Sequence, residues 1–164
     1  MAYQQPAIYK DSGGDRQVFT TGSVADFQSG SIPVGVVLNT RHRVTTAEVN
    51  AGHELLPALS GYKYRIVDVT LIAVGGAAQT ATSVDILTTQ AASVVRPIVA
   101  LVGALTRSAV VKPDTTNVSV LADGASFIAN DANTAVTISK QDAGSNLATA
   151  THIDAILSYV IEAA

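Results

Sequence analysis

The stretch 152–162 has the cleanest period of two in the chain. Ile153, Ala155, Leu157, Tyr159 and Ile161 fall on one side, and His152, Asp154, Ile156, Ser158 and Val160 on the other. Successive strand side chains point to opposite faces, so the pattern predicts a β-strand. Sustained almost to the last residue, it is expected to be central or well paired. Residues 62–74 form the longest candidate. There Lys63 and Arg65 share parity with Val67, Val69 and Leu71, while Tyr62, Tyr64 and Ile66 share it with Asp68 and Thr70. The polar side changes over midway, which predicts a β-bulge or a second half covered on both faces. Gly75-Gly76 ends this strand, and 83–89 follows as its partner. Residues 32–40 place Ile32, Val34, Val36 and Leu38 on one face, with Pro33 marking an edge or a strand start. Further strands are predicted at 117–121, closed by an Asp123-Gly124 turn, and at 135–140, followed by a turn at 142–146.

Two segments carry helical signals. Thr45 and Glu48 have capping-box spacing and Gly52 closes the segment, predicting one helical turn over 46–51. In 94–105, Pro97 suits a first turn and Ile98, Leu101, Val102 and Leu105 recur at i, i+3, i+4 and i+7; a short helix is favoured over a strand there. Residues 1–31 are rich in Gly and Ser, with only 18–21 strand-like, and read as an extended arm. The expected fold is mainly β: an antiparallel β-sandwich, jelly-roll-like, over 32–164 as a single domain, with one or two short helices and that N-terminal arm.

Composition narrows the class. Ala, Val, Thr, Ser and Gly make up 89 of the 164 residues, charged residues 14%, and there is no Cys or Trp. High hydrophobicity argues against disorder, and absent cysteine excludes a disulfide scaffold, a zinc finger or a thiol enzyme. The net charge of −3 offers no footprint for nucleic acid or an anionic membrane. No apolar run approaches the roughly 20 residues of a membrane span, and the first residues lack a signal-peptide pattern, so synthesis in the cytoplasm is expected. A surface short of charge is expected to be covered by other subunits, or else solvated by Ser, Thr, Asn and Gln.

Candidate chemistry fails motif by motif. His53-Glu54-Leu55-Leu56 begins like a zinc-protease helix, but Pro57 stands where the second ligand belongs. His42 and His53 flank a turn and read as surface or packing residues. Asp123, Asn130, Asp131 and Asn133 crowd one stretch without calcium-loop spacing and read as an Asx-rich turn. Ser126 lacks the second glycine of a nucleophile elbow. His152 and Asp154 read as a solvated or interface pair. No cofactor and no enzymatic activity are expected. The remaining feature is charge: Arg41-His42-Arg43, joined by Lys63 and Arg65, opposes a C-terminal region from Thr115 onward with one Lys against five acids. The basic cluster reads as a subunit interface facing that acidic half, or as a solvated loop.

The stretches Arg43-Val44-Thr45-Thr46-Ala47-Glu48-Val49-Asn50-Ala51-Gly52, Leu55-Leu56-Pro57-Ala58, Tyr62-Lys63-Tyr64-Arg65-Ile66-Val67-Asp68-Val69 and Leu147-Ala148-Thr149-Ala150-Thr151-His152-Ile153-Asp154 resemble head decoration (cement) proteins of tailed bacteriophages, over about residues 32–162. The resemblance rests on strand-and-turn patterns. It implies a β-sandwich subunit, often trimeric, on the capsid surface of the virion, bridging major capsid subunits and carrying no catalytic residue. Candidate contacts are Val18 and Phe19 of the arm with Arg41, Arg43, Lys63 and Arg65. The alternative is a phage tail or baseplate β-sandwich that binds a host-surface carbohydrate, with Tyr62, Tyr64 and Tyr159 as the stacking residues.

Overall fold

The computed structural model describes residues 8–10, 17–19, 34–79, 81–103, 105, 110–112, 118–120, 128–140 and 145–164. The chain divides into two units, Met1–Pro33 and Val34–Ala164. In the first, β1 (Ile8–Lys10) and β2 (Gln17–Phe19) pair antiparallel, with Ile8 opposite Phe19; the remainder of the expected arm lies outside the described residues. The second unit runs β3 (Val37–Thr45), α1 (Thr46–Ala51), β4 (His53–Leu56), β5 (Tyr62–Val74), β6 (Ala78–Gln79), β7 (Ser83–Gln90), β8 (Ser93–Leu101), β9 (Val110–Val111), β10 (Val118–Val120), β11 (Val136–Lys140), β12 (Ala148–Thr149) and β13 (His152–Ala163). One antiparallel sheet orders β3-β13-β5-β9 and the other β10-β8-β7-β11-β4, with a small β12-β6 ladder beside them.

The two sheets bury one face each against the other, as an amphipathic sheet must. Ile153, Ala155 and Leu157 of β13 and Val69, Leu71 and Ala73 of β5 meet Val84 and Ile86 of β7, Ile98 and Ala100 of β8, and Val136 and Ile138 of β11; none is more than 1% exposed. The architecture is therefore the expected mainly-β antiparallel sandwich with one short helix. β13 is central, flanked by β3 and β5 along its length. The changeover in β5 is a bulge: Ile66 pairs with Tyr159 and Asp68 with Ser158, leaving Val67 as the extra residue. The inward set accordingly shifts from Tyr64 and Ile66 to Val69, Leu71 and Ala73. The capping box of α1 is formed in both directions between Thr45 and Glu48, and Gly52 closes the helix at φ 86°, a conformation that costs an L side chain energy.

Three expectations are corrected. Residues 93–101 form strand β8, not a helix, because Val94, Val95, Ile98 and Val99 pair along β7 and tertiary pairing outweighs a local helical period. Pro97 is absorbed by a second bulge: Thr88 pairs with Val95 and Ile86 with Ile98, so Arg96 and Pro97 together face Leu87. β7 is not the partner of β5; it crosses to the other sheet, between β8 and β11. Arg41-His42-Arg43 is no loop but the middle of β3. His42 and His53 flank the single turn of α1, and His53 begins β4, an edge strand of the five-stranded sheet. The Asp123-Gly124 turn and residues 142–144 of the 142–146 turn lie outside the described residues.

Candidate functional site

The outer face of the four-stranded sheet gathers Arg41, Arg43, Lys63, Arg65 and Lys112. Alternation along β3 turns Val37, Asn39, Arg41 and Arg43 outward, all exposed. The register sets them opposite Val160, Ser158, Ile156 and Asp154 of β13, and across β13 lie Arg65, Asp68, Thr70 and Ile72 of β5. Lys63 stands opposite Glu162, and Lys112, just past β9, approaches Asp68 at 4.0 Å. Arg41, Arg43, Lys63 and Arg65 thus share one surface because β13 pairs with both β3 and β5. Cross-strand neighbours on a sheet face stand about 5 Å apart, close enough for charges to couple.

Asp154 is the node of this face. Its side chain is 4% exposed although the register places it on the outward side. Arg41 Nη2 donates to Oδ2 at 2.5 Å, Arg43 Nε lies 3.7 Å from Oδ1, and His152 Nε2 lies 3.6 Å from Oδ1. Burial by itself pushes the carboxyl up. The hydrogen bond from Arg41, with the charges of Arg41, His152 and Arg43, outweighs it and holds Asp154 below the usual carboxylate range. The Arg41 and Arg43 side chains remain 59% and 68% exposed. One carboxylate serves two arginines, so positive charge is left over at the surface.

A second pair lies further along. Arg65 donates from Nε to Glu162 Oε1 at 2.6 Å and from Nη2 to Oε2 at 3.1 Å, the forked geometry that suits a guanidinium. That bond holds the Glu162 carboxyl low. Lys63, Arg65 and Glu162 line an open pocket of about 330 Å³ with Asn130 and Asp131. The loop forming its far wall is anchored by its own polar groups. Asn130 donates its backbone N–H to Tyr64 O and accepts Tyr64 N–H on Oδ1, while Asn133 Oδ1 accepts Gly61 N–H. Asp131 accepts the backbone N–H groups of Ala91 and Ala92 at the β7–β8 turn.

The other sequence candidates fall elsewhere. Val18 and Phe19 are in β2 of the first unit, and their side chains lie outside the described residues. Tyr64 and Tyr159 turn inward, packed edge to face at 5.8 Å, and Tyr64 donates its hydroxyl to Pro57 O at 2.7 Å. Burial, then the neighbouring Tyr159 and Glu54, raises the Tyr64 phenol. Tyr62 shares that inward parity and is half-buried, so the three rings do not form an exposed platform. His42 faces inward from the sheet edge and pairs with Thr40 Oγ1 at 3.2 Å; His53 lies 3.9 Å from Glu48.

Among the described residues, no three His, Cys, Asp or Glu side chains gather as a metal site, and no helix is long and apolar enough to cross a membrane. Sequence reading paired Asp154 with His152 and placed Asn130 in an Asx-rich turn, but missed Asp154 as the partner of Arg41 and Arg43, and Glu162 and Asp68 as counter-charges on the same face. The one local signal was an acid on an otherwise apolar strand. No protein-family model, curated protein or solved structure matches this chain.

Proposed function

We propose that this chain is a structural virion subunit of the head-decoration kind, which stabilises a tailed-phage capsid by binding between major capsid subunits. The observation that carries the reading is the outer face of the four-stranded sheet. Five of the ten Lys and Arg residues of a chain with net charge −3 meet there, with only Asp68, Asp154 and Glu162 against them among the described residues. A basic surface on paired strands suits docking onto acidic protein, since complementary charge steers the encounter and fixes orientation. Val34, Val36 and Val37, all exposed beside it, supply apolar contact area. Removal of such area from water yields about 25 cal/mol per Å², and symmetric repetition of a modest contact multiplies it. The subunit acts as a homo-oligomer, a trimer in the expected case, made in the host cytoplasm, and without a cofactor.

Sedimentation velocity over a range of concentrations, with co-sedimentation on purified tailed-phage capsids, tests the reading. The expected result is a defined oligomer, or one formed on capsids, with saturable binding that Lys63→Glu weakens at unchanged circular dichroism. A monomer at every concentration that leaves capsids bare refutes it.

A further inference from the structure

We infer that the free edge of β3 binds an acidic, extended segment of a partner protein by strand addition. The inference rests on the reading of this face as a docking surface and names what docks there. β3 ends its sheet, and the direction of its backbone groups follows from two bonds. Ile161 O, on the β3 side of β13, accepts Gly35 N–H at 2.9 Å. Alternate residues of a strand bond toward the same side, so Leu38, Thr40, His42 and Val44 are the residues bonded to β13. At the other end Thr45 N–H has turned away from β13 to the Glu48 carboxylate, at 2.7 Å. Both observations aim the N–H and C=O groups of Val37, Asn39, Arg41 and Arg43 away from the sheet, over about 20 Å of strand. Among the described residues, none pairs with them. A row of unpaired peptide groups is a template for another strand.

Charge selects the occupant. An added strand lies about 4.8 Å away, with alternate side chains level with Arg41 and Arg43. Those two arginines share one buried carboxylate and stay largely exposed. Carboxylates two residues apart on the incoming strand complete them with charge-assisted hydrogen bonds. A second copy of β3 fits poorly: the antiparallel register that overlaps the whole strand sets Arg41 against Arg41. The basic edge therefore discourages self-pairing and favours an acidic strand.

The test uses a blocked octapeptide alternating Glu with Thr, the same peptide with Lys for Glu, and one with alternate amides N-methylated. Binding to the full chain is followed by amide hydrogen exchange. The Glu peptide is expected to slow exchange at Asn39, Arg41 and Arg43 at least tenfold, and the Lys and N-methylated peptides to bind at least tenfold more weakly. Asn39→Pro removes an outward N–H and leaves the β13 ladder whole, and it weakens binding likewise. Equal binding of the N-methylated peptide overturns the inference, as does protection elsewhere on the chain. Protection of the same amides in the chain alone, growing with its concentration, overturns it in favour of a second copy. If capsids bind while the peptide arms fail, strand addition falls and the docking reading stands; if the peptide arms succeed and capsids stay bare, the capsid reading falls alone.

Discussion

Asn130 does the work of a missing strand, and its replacement has a calculable cost. β9 pairs with β5 only at Leu71 and Ile72, so the outward peptide groups of Tyr64 have no strand beside them. Asn130 meets both: its N–H reaches Tyr64 O at 2.8 Å and its Oδ1 accepts Tyr64 N–H at 2.6 Å, while Nδ2 donates to Thr134 O at 3.1 Å. The residue is 1% exposed, so water does not take over these roles. Asn130→Ala leaves the Tyr64 N–H and the Thr134 carbonyl without partners, at about 1–3 kcal/mol each. Thr134 is half-exposed and falls at the low end, giving an expected loss of about 2–4 kcal/mol, out of roughly 5–15 kcal/mol for a domain. Urea unfolding at pH 7 measures it. Asn130→Asp keeps the acceptor for Tyr64, loses the donor to Thr134 and buries a charge; its deficit is expected to shrink as the pH falls and the new carboxyl takes a proton. An Asn130→Ala variant within 0.5 kcal/mol of the parent refutes the reasoning, with ~0.5 kcal/mol being the ordinary spread of neutral surface changes.

Three further outcomes follow from the same geometry. The depressed carboxyl of Asp154 contributes stability above the unfolded carboxylate range, near pH 3.9, and loses it as pH falls through the lower folded value; Asp154→Asn is expected to cost about 1–3 kcal/mol at pH 7, toward the low end because Arg41 is mostly exposed, and the gap to the parent should narrow as the pH falls below the unfolded carboxylate range in urea titrations. Ala91 and Ala92 hold φ of 49° and 59° in the β7–β8 turn, so the double change Ala91→Asn, Ala92→Gly, suited to a type I′ turn, is expected to raise the unfolding midpoint by about 1 kcal/mol of stability; an unchanged midpoint contradicts the strain. The exposed Arg65–Glu162 pair should show a coupling below about 1 kcal/mol in a double-mutant cycle, falling further in 1 M salt.

Local chemistry was legible where neighbours along the chain decide the outcome. The Thr45–Glu48 box gave α1 its true bounds, because capping is settled within one turn. The parity switch between Ile66 and Val69 gave the bulge, because one extra residue moves every later side chain to the other face. Sheet order was not legible. Nothing near Ser83 says that β7 crosses to the second sheet, since pairing is a long-range choice. Arg41-His42-Arg43 looked like a loop because β3 is an edge strand, where even the inward Thr40 and His42 stay half-exposed and need not be apolar. The candidate site shares that limit. Arg43 and Asp154 are far apart in sequence, and only the β3–β13 register sets them opposite each other.

That register also resolves the conflict between an open sheet edge and a stable particle. A long strand with free peptide groups invites uncontrolled pairing. Here the invitation is conditional. Asp154 holds Arg41 by a hydrogen bond and draws Arg43 by charge at 3.7 Å, which keeps both guanidinium groups beside the edge. Because one carboxylate faces two cations, the fixed side chains still repel a second basic strand and attract an acidic one. Removing Asp154 would release Arg41 from its hydrogen bond and Arg43 from its counter-charge and blunt that discrimination, although it would raise the positive charge of the face. Selectivity at this edge therefore depends on the ordering of charge rather than on its amount, and the few charged residues of this chain act through the register that places them.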